Sequence, residues 1–174
     1  MRLRPLTEDD WDTIAVWETD PDVLWFSDGG EVRQWTIDEW KPIYRDISTS
    51  ADMFLIEHND IPVGTGWVQA MNLDFILAEH PGRDLRRIDL QLDETVWGRR
   101  LGTRAIRLMT RHAFDTGADL VFASGIWDFN ERRLRAFGAC GYGLWRSIPE
   151  PDGSRSSAMV YLVCQRPDPV DREP

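Results

Sequence analysis

The hydrophobic positions along this chain change period several times, and each change marks an element. Leu3 and Leu6 flank a short opening strand. Thr7 and Asp10 then read as a helix cap and first turn, and Trp11, Ile14, Ala15 and Trp17 mark the buried face of a helix ending near Glu18. Thr36 with Glu39 forms a capping-box pattern that predicts a second helix over 37–47. Positions 53–58 and 62–71 read as two strands joined by an Asn59-Asp60 turn, a hairpin, with Gly64 and Gly66 marking a bulge or a close backbone approach. Positions 72–86 show no clean period and read as a long loop rich in Asp, Glu, Gly and Pro. From 88 to 93 the alternation is strict: Ile88, Leu90 and Leu92 share one face, Asp89, Gln91 and Asp93 the other.

The second half continues with a helix over 101–116, with Ala105, Leu108, Met109, His112 and Ala113 near one side and Gly117 as its C-terminal cap. A buried strand over 120–124 follows, then a helix over 131–140 stopped by Gly141. Positions 142–148 and 158–165 form a final hairpin around Pro151-Asp152-Gly153, and 167–174 reads as a flexible tail. The order is β-α-α-β-β-β-α-β-α-β-β, which predicts an α/β or α+β sheet with helices on both faces. A length of 174 residues fits one domain, over 1–166, with a sizeable core.

The formal net charge of −10 argues against nucleic acid as a partner and favours a cationic small molecule. No apolar run reaches membrane-spanning length and no signal-peptide pattern is read, so no membrane partner and a cytoplasmic location are expected. Cys140 and Cys164 lack a zinc spacing and suggest neither a disulfide framework nor a metal site. Nine tryptophans are many for this length; Trp11, Trp17, Trp40 and Trp145 are assigned to the core.

Residues 92–107, LDETVWGRRLGTRAIR, read as a strand end, a Gly- and Arg-bearing loop, then a helix start. Gly98 and Gly102 would let the backbone turn tightly, and free N–H groups at a helix start bind phosphate. Arg99, Arg100 and Arg104 add positive charge there.

With a second segment, NERRLRAFGACGY at 130–142, this stretch resembles the GNAT superfamily of acyl-CoA-dependent N-acetyltransferases. That family's first motif is Q/R-x-x-G-x-G/A. Trp97 stands at its Gln/Arg position, Arg100 at its first glycine and Gly102 at its last position, while Gly98 matches a W-G-x-x-x-G variant. The second motif is N-x-R-A-x-x-x-Y followed by G-F; Asn130, Arg132 and Gly141 match it, Tyr142 replaces Phe, and Phe137 occupies the Tyr position. The resemblance implies a single domain whose mixed sheet is splayed between its fourth and fifth strands, with acetyl-CoA in the gap. It places the pyrophosphate on the amides of Gly98, Arg99, Arg100, Leu101, Gly102 and Thr103, and the pantetheine arm on the backbone around Leu92. Asn130 would lie on the sulfur side, and Arg133 or Arg135 near the adenosine phosphates.

Acetyl transfer needs a held thioester, a proton acceptor for the amine and a leaving thiolate. Asp89, on the polar strand face, is the candidate base, with Asp93 and Glu94 as alternatives. Phe137 cannot protonate the thiolate. The RPLTEDDW opening, the IPVGTGWVQAM strand, the acidic loop after it, WGRRLGTRAIRLM and the PDG hairpin before AMVYLVCQR together resemble the aminoglycoside 6′-N-acetyltransferases. A strand-four Asp of that family matches Asp89. A second family Asp would fall at Gly125, with Asp128 nearby as the substitute. Trp25, Trp67 and Trp127, with Asp28, Asp74, Glu79, Asp84 and Asp128, lie in segments that the resemblance places at the acceptor cleft; rings and carboxylates suit a polycationic amino sugar. The implied activity is 6′-N-acetylation of an aminoglycoside, an antibiotic-resistance function, by a monomer or homodimer. A GNAT acting on a siderophore precursor, a polyamine or a protein N-terminus, and a weakly catalytic acyl-CoA-binding module, are the alternatives.

Overall fold

A computed structural model describes residues 1–18, 20–28, 36–152, 154 and 156–166. Its elements are β1 (Arg2–Pro5), α1 (Trp11–Glu18), α2 (Pro21–Asp28), α3 (Ile37–Ser48), β2 (Ala51–His58), β3 (Ile61–Ala70), α4 (Asp74–Glu79), β4 (Leu85–Leu92), α5 (Leu101–Asp115), β5 (Leu120–Trp127), α6 (Glu131–Gly138), β6 (Gly143–Pro149) and β7 (Ala158–Gln165). The strands form one mixed sheet in the order β1-β2-β3-β4-β5-β7-β6. All neighbours are antiparallel except β4 and β5.

That parallel pair is short. It is registered only at Leu85↔Leu120, Arg86↔Val121 and Arg87↔Phe122, whereas β4 stays paired with β3 out to Gly64↔Leu92. Beyond Arg87 the two strands part, as the expected splay requires. Close contact of β3 with β4 depends on glycine: a Cβ on Gly64 would sit 2.2 Å from the Gln91 carbonyl oxygen, and one on Gly66 2.9 Å from that of Asp89. The β2–β3 register also shifts between Ile56 and Glu57, beside Gly64, so bulge and close approach occur together.

Helices cover both faces. On one, α5 and α6 bury Ile106, Met109 and Phe137 against Phe54, Val68, Ile88 and Val121. On the other, Ile14, Trp17 and Tyr44 pack on Met53 and Leu55, with Trp11, Trp40 and Trp67 at the margin. Trp145 packs beside Phe122 and Ile76 in a third cluster. The Asn59-Asp60 turn has φ of 54° and 61°, and Gly117 and Gly141 end their helices at φ of 119° and 87°.

Two helices depart from the sequence expectation. Residues 72–86 contain α4 and the first residues of β4 rather than a continuous loop. Six residues are too few to show a helical period, and the buried Ile76 anchors the turn against Leu85 and Phe122. The second unexpected helix, α2, begins at Pro21, with the Asp20 carboxylate accepting from Asp22 N at 2.8 Å. The strand over 120–124 extends to Trp127. The expected tail, 167–174, and Gly153 of the last hairpin lie outside the described residues. Among the described residues no helix is long and apolar enough to cross a membrane, and no group of three or more His, Cys, Asp or Glu side chains could hold a metal ion.

Candidate active site

The parting of β4 from β5 opens a cleft of about 590 Å³ between Leu90–Leu92, the start of α5, α6 and the inner side of α2. Its charged lining residues are Arg100, Arg132, Arg133 and Arg135, and no Asp or Glu is among them. In a chain of net charge −10 that concentration marks the cleft for an anion.

The helix start adds to it. The first backbone bond of α5 runs from Arg104 N to Arg100 O, and no side chain caps the helix. The amides of Leu101, Gly102 and Thr103 therefore have no partner within the helix, and the dipole favours negative charge before them. The turn into α5 differs from the expected one. Gly98 does adopt a left-handed φ of 76°, but Gly102 lies inside the helix, and the second left-handed residue is Arg100, at φ 60°. An L-residue there costs about 1–2 kcal/mol. Arg100→Gly is expected to raise stability by up to about 1 kcal/mol after the glycine's own entropy cost, and Arg100→Val to lower it by about 1–2 kcal/mol. Urea unfolding of the two variants measures both.

The remaining cofactor-side candidates divide. Leu92 lines the cleft, but its carbonyl accepts from Trp97 Nε1 at 2.8 Å. Arg99 is exposed and outside the lining. Asn130 is buried at the cleft, with both ends of its amide used: Oδ1 accepts from Arg133 N at 3.1 Å, capping α6, and Nδ2 donates to Phe26 O at 3.2 Å. That second bond ties α2 to the cleft. The Arg132 guanidinium lies 3.5 Å from the Trp97 ring centroid and 4.7 Å from that of Phe26. Burial pushes its pKa down, yet the guanidinium stays charged at neutral pH.

On the opposite face of the sheet, Asp89 Oδ1 accepts from Arg133 Nη2 and from Leu90 N, and Oδ2 lies 3.8 Å from Arg87 Nη2. Arg133 thus reaches through the parting strands to Asp89 rather than outward along α6. Arg87 also donates to Asn72 Oδ1 at 3.1 Å, bringing the segment before α4 beside Asp89. The Asp93 carboxylate is already bonded. The Thr95 hydroxyl and, against burial, the Trp17 indole at 2.8 Å hold its carboxyl below the ordinary range. Glu94 is exposed.

Of the acceptor candidates, Trp25 is 45% exposed on α2 and Asp74 is exposed at the start of α4. Asp28 closes α2, and its side chain lies outside the described residues. Trp127 stacks with Phe129, their centroids 6.5 Å apart. Asp128 between them accepts from the Ser156 hydroxyl at 2.6 Å and from that of Ser157, and these bonds hold its carboxyl below the usual range. Phe137 is fully buried and does not line the cleft. Tyr142 packs edge-on against it, its hydroxyl 2.7 Å from that of Thr110, with burial pushing its pKa up.

Sequence reasoning missed Arg87 and the Arg133–Asp89 pair. It also missed Glu18, a buried carboxylate that accepts from the Tyr44 hydroxyl and from Gln91 on the same strand face as Asp89.

The whole architecture is similar to that of solved acetyltransferases. AAC(6')-Ib in complex with ribostamycin and coenzyme A matches with a TM-score of 0.75 at 20% identity, over 94% of this chain and 92% of that one. The aminoglycoside acetyltransferase AAC(6')-Ib in complex with coenzyme A and kanamycin matches at 0.74 and 19%, over 94% of each chain. An acetyltransferase of the GNAT family from Bacillus anthracis matches at 0.71 and 13%, over 94% and 93%. Residues 1–143 match the family model of the acetyltransferase (GNAT) domain, so this chain belongs to the GNAT acetyltransferase family.

Proposed function

We propose that this acetyltransferase transfers the acetyl group of acetyl-CoA directly to a primary amine of a cationic small molecule, an aminoglycoside 6′-amine, with antibiotic resistance as the consequence. The observation that carries the reading is a cleft whose charged lining is four arginines with no carboxylate, closed by three uncapped amides of α5, in a strongly acidic chain. A pyrophosphate suits those amides and cations, and a narrow arm fits between strands that have lost their mutual pairing.

The roles follow from position. Leu101, Gly102 and Thr103 bind phosphate through N–H groups, with Gly98 and Arg100 shaping the turn that presents them. Arg132, held over the Trp97 ring, adds charge at the cleft. Asp89 takes the amine's proton, and Asp128 with Trp25, Asp74 and Trp127 holds the cationic remainder of the acceptor. The AAC(6')-Ib structures with ribostamycin and kanamycin support an amino-sugar acceptor on this fold.

The test is a free-thiol assay with acetyl-CoA and a panel of kanamycin- and gentamicin-type compounds, polyamines and a peptide N-terminus. Turnover of aminoglycosides is the expected result. Turnover of another amine alone would move the acceptor class, and coenzyme A binding without turnover would make the protein an acyl-CoA-binding module. Acceptor binding is expected to weaken as salt rises. Because Asp128 stays ionised below the usual carboxylate range, its pull on a cation should persist into mildly acidic buffer. Asp128→Asn is expected to raise the acceptor KM severalfold and leave coenzyme A affinity unchanged, read from steady-state kinetics and calorimetry.

A further inference from the structure

Resting on the acetyl-transfer reading, we propose that Gln91 holds the acceptor's reacting amine through its side-chain carbonyl, and that the buried carboxylate of Glu18 is a positioning residue that fixes the direction of that carbonyl. Glu18 ends α1 and is 3% exposed. Burial and the negative end of the helix dipole both oppose a carboxylate at that place. The Tyr44 hydroxyl and Gln91 Nε2 both donate to its Oε1. Burial and the charge of Glu18 push the Tyr44 pKa up, so the hydroxyl keeps the proton it donates. A carboxylate only accepts hydrogen bonds, so the Gln91 carboxamide has one orientation open to it, with its amino group on Glu18 and its oxygen turned away. Among the described residues that oxygen accepts no hydrogen bond, and it keeps accessible surface.

Gln91 stands where the cofactor cleft meets the face that carries Asp89. It lies on β4 beyond the last β4–β5 pair at Arg87↔Phe122, and it lines the cleft. Its neighbours Leu90 and Leu92 belong to the other face, where they pack with Ile56 and Ala105. Gln91 and Asp89 alternate with them on the α1 side of the sheet, about 7 Å apart along the strand. The Tyr44 hydroxyl feels the charge of Asp89 as well as that of Glu18. Of the polar β4 side chains on this face, Arg87 can only donate and Asp89 is the proposed base, which leaves Gln91 Oε1 as the second acceptor.

Two acceptors suit the attack. A neutral primary amine has two N–H groups and one lone pair. With one N–H on Asp89 and the other on Gln91, the lone pair is left to face the thioester. The nitrogen bonds to the carbonyl carbon as Asp89 takes its proton. The C–S bond breaks with its electron pair on sulfur, and the proton returns from Asp89 to the thiolate directly or through water. The N–H held by Gln91 is the one that remains in the amide product. A carboxamide free to turn would also present its amino group, which cannot accept. One fixed by Glu18 needs no reorientation when the amine arrives.

The test is steady-state kinetics with acetyl-CoA and kanamycin, or the panel amine that is turned over in its place, beside calorimetry of coenzyme A. Gln91→Met keeps the length of the side chain and removes both polar atoms. It is expected to lower kcat/KM for the amine by about 10-fold or more and to leave coenzyme A affinity within about twofold. Glu18→Gln lets the Gln91 carboxamide turn and should cost severalfold in the same parameter. Added to Gln91→Met, it should cost nothing further, because its effect passes through Gln91. The exchange Glu18→Gln with Gln91→Glu rebuilds the pair with an oxygen still turned away from position 18, and should recover most of the lost activity. Thermal scans must show folded variants, and Glu18→Gln with the exchange decides the matter where Gln91→Met does not fold. Near wild-type amine kinetics in folded Gln91→Met would overturn the proposal. So would an equal fall in coenzyme A affinity, which would put the carboxamide on the pantetheine arm. Losses that multiply in the double variant would make Glu18 a structural group and overturn its role. Absence of turnover of every panel amine by wild type would instead remove the acetyl-transfer reading, and this proposal with it.

Discussion

Asp89→Asn is expected to lower turnover of the preferred amine by about 10²-fold or more, the range of a lost general base. Asparagine keeps the shape and the Oδ1 that accepts from Leu90 N and Arg133, but has no carboxylate to take a proton. It also leaves Arg133 and Arg87, with side chains 15% and 20% exposed, without their shared anion. Some loss of stability is therefore expected alongside, and a thermal scan must show a folded variant before kinetics are compared. A base and an ammonium-binding carboxylate separate on kcat and KM. Loss of the base lowers kcat and flattens the acidic limb of the kcat profile, whereas loss of an ammonium contact raises KM at every pH. Near wild-type kinetics across pH would remove Asp89 from the mechanism.

The legible parts of this chain were those with repetition or a strong local signature. Strict alternation at 88–93 identified β4 and put Asp89 and Gln91 on one face, where the structure has them beside Trp67, Tyr44 and Glu18. Capping at Thr36 and the left-handed glycines 117 and 141 marked helix ends to within two residues of those in the structure. The α2 helix carried a signal, Asp20 before Pro21, that eight residues of mixed polarity concealed, and α4 was too short to show any period. Gly102 was expected to make the tight turn because glycine is the residue that does so most readily. The chain instead places Arg100 in the left-handed conformation and leaves Gly102 helical.

The Arg133–Asp89 pair lay beyond periodicity because it joins positions 44 residues apart, across a gap between two strands. Its one local trace was compositional. In N-x-R-A-x-x-x-Y, Arg133 falls where the motif has alanine, and Phe137, one turn on, falls where it has tyrosine. Two departures at i and i+4 share a helix face. Read together, they give that face a guanidinium and a phenyl ring, which lie 5.9 Å apart.

Gly102→Asp is expected to weaken coenzyme A binding by about 2 kcal/mol or more, roughly 30-fold, while leaving the fold intact or slightly firmer. The two effects have opposite signs for physical reasons that share one place. Gly102 is the second residue of α5 and has ordinary helical φ; a Cβ there meets nothing closer than Leu92 Cδ1 at 3.6 Å. An aspartate therefore enters without a clash or backbone strain, replaces a poor helix former, and sets a carboxylate against the positive end of the helix dipole, which stabilises by about 0.3–1 kcal/mol. That same carboxylate stands before the uncapped amides of Leu101, Gly102 and Thr103, which the proposed function assigns to the pyrophosphate. It occupies them and repels the phosphates. Gly102→Ala separates space from charge: a methyl group in this open position should cost much less than the aspartate. Pantetheine, which lacks the nucleotide and its phosphates, provides the matching control on the ligand side, because its affinity should be nearly equal in wild type and Gly102→Asp. Calorimetry on the three proteins reads all of these. Unchanged coenzyme A affinity in a folded Gly102→Asp protein would take the phosphate site away from the start of α5.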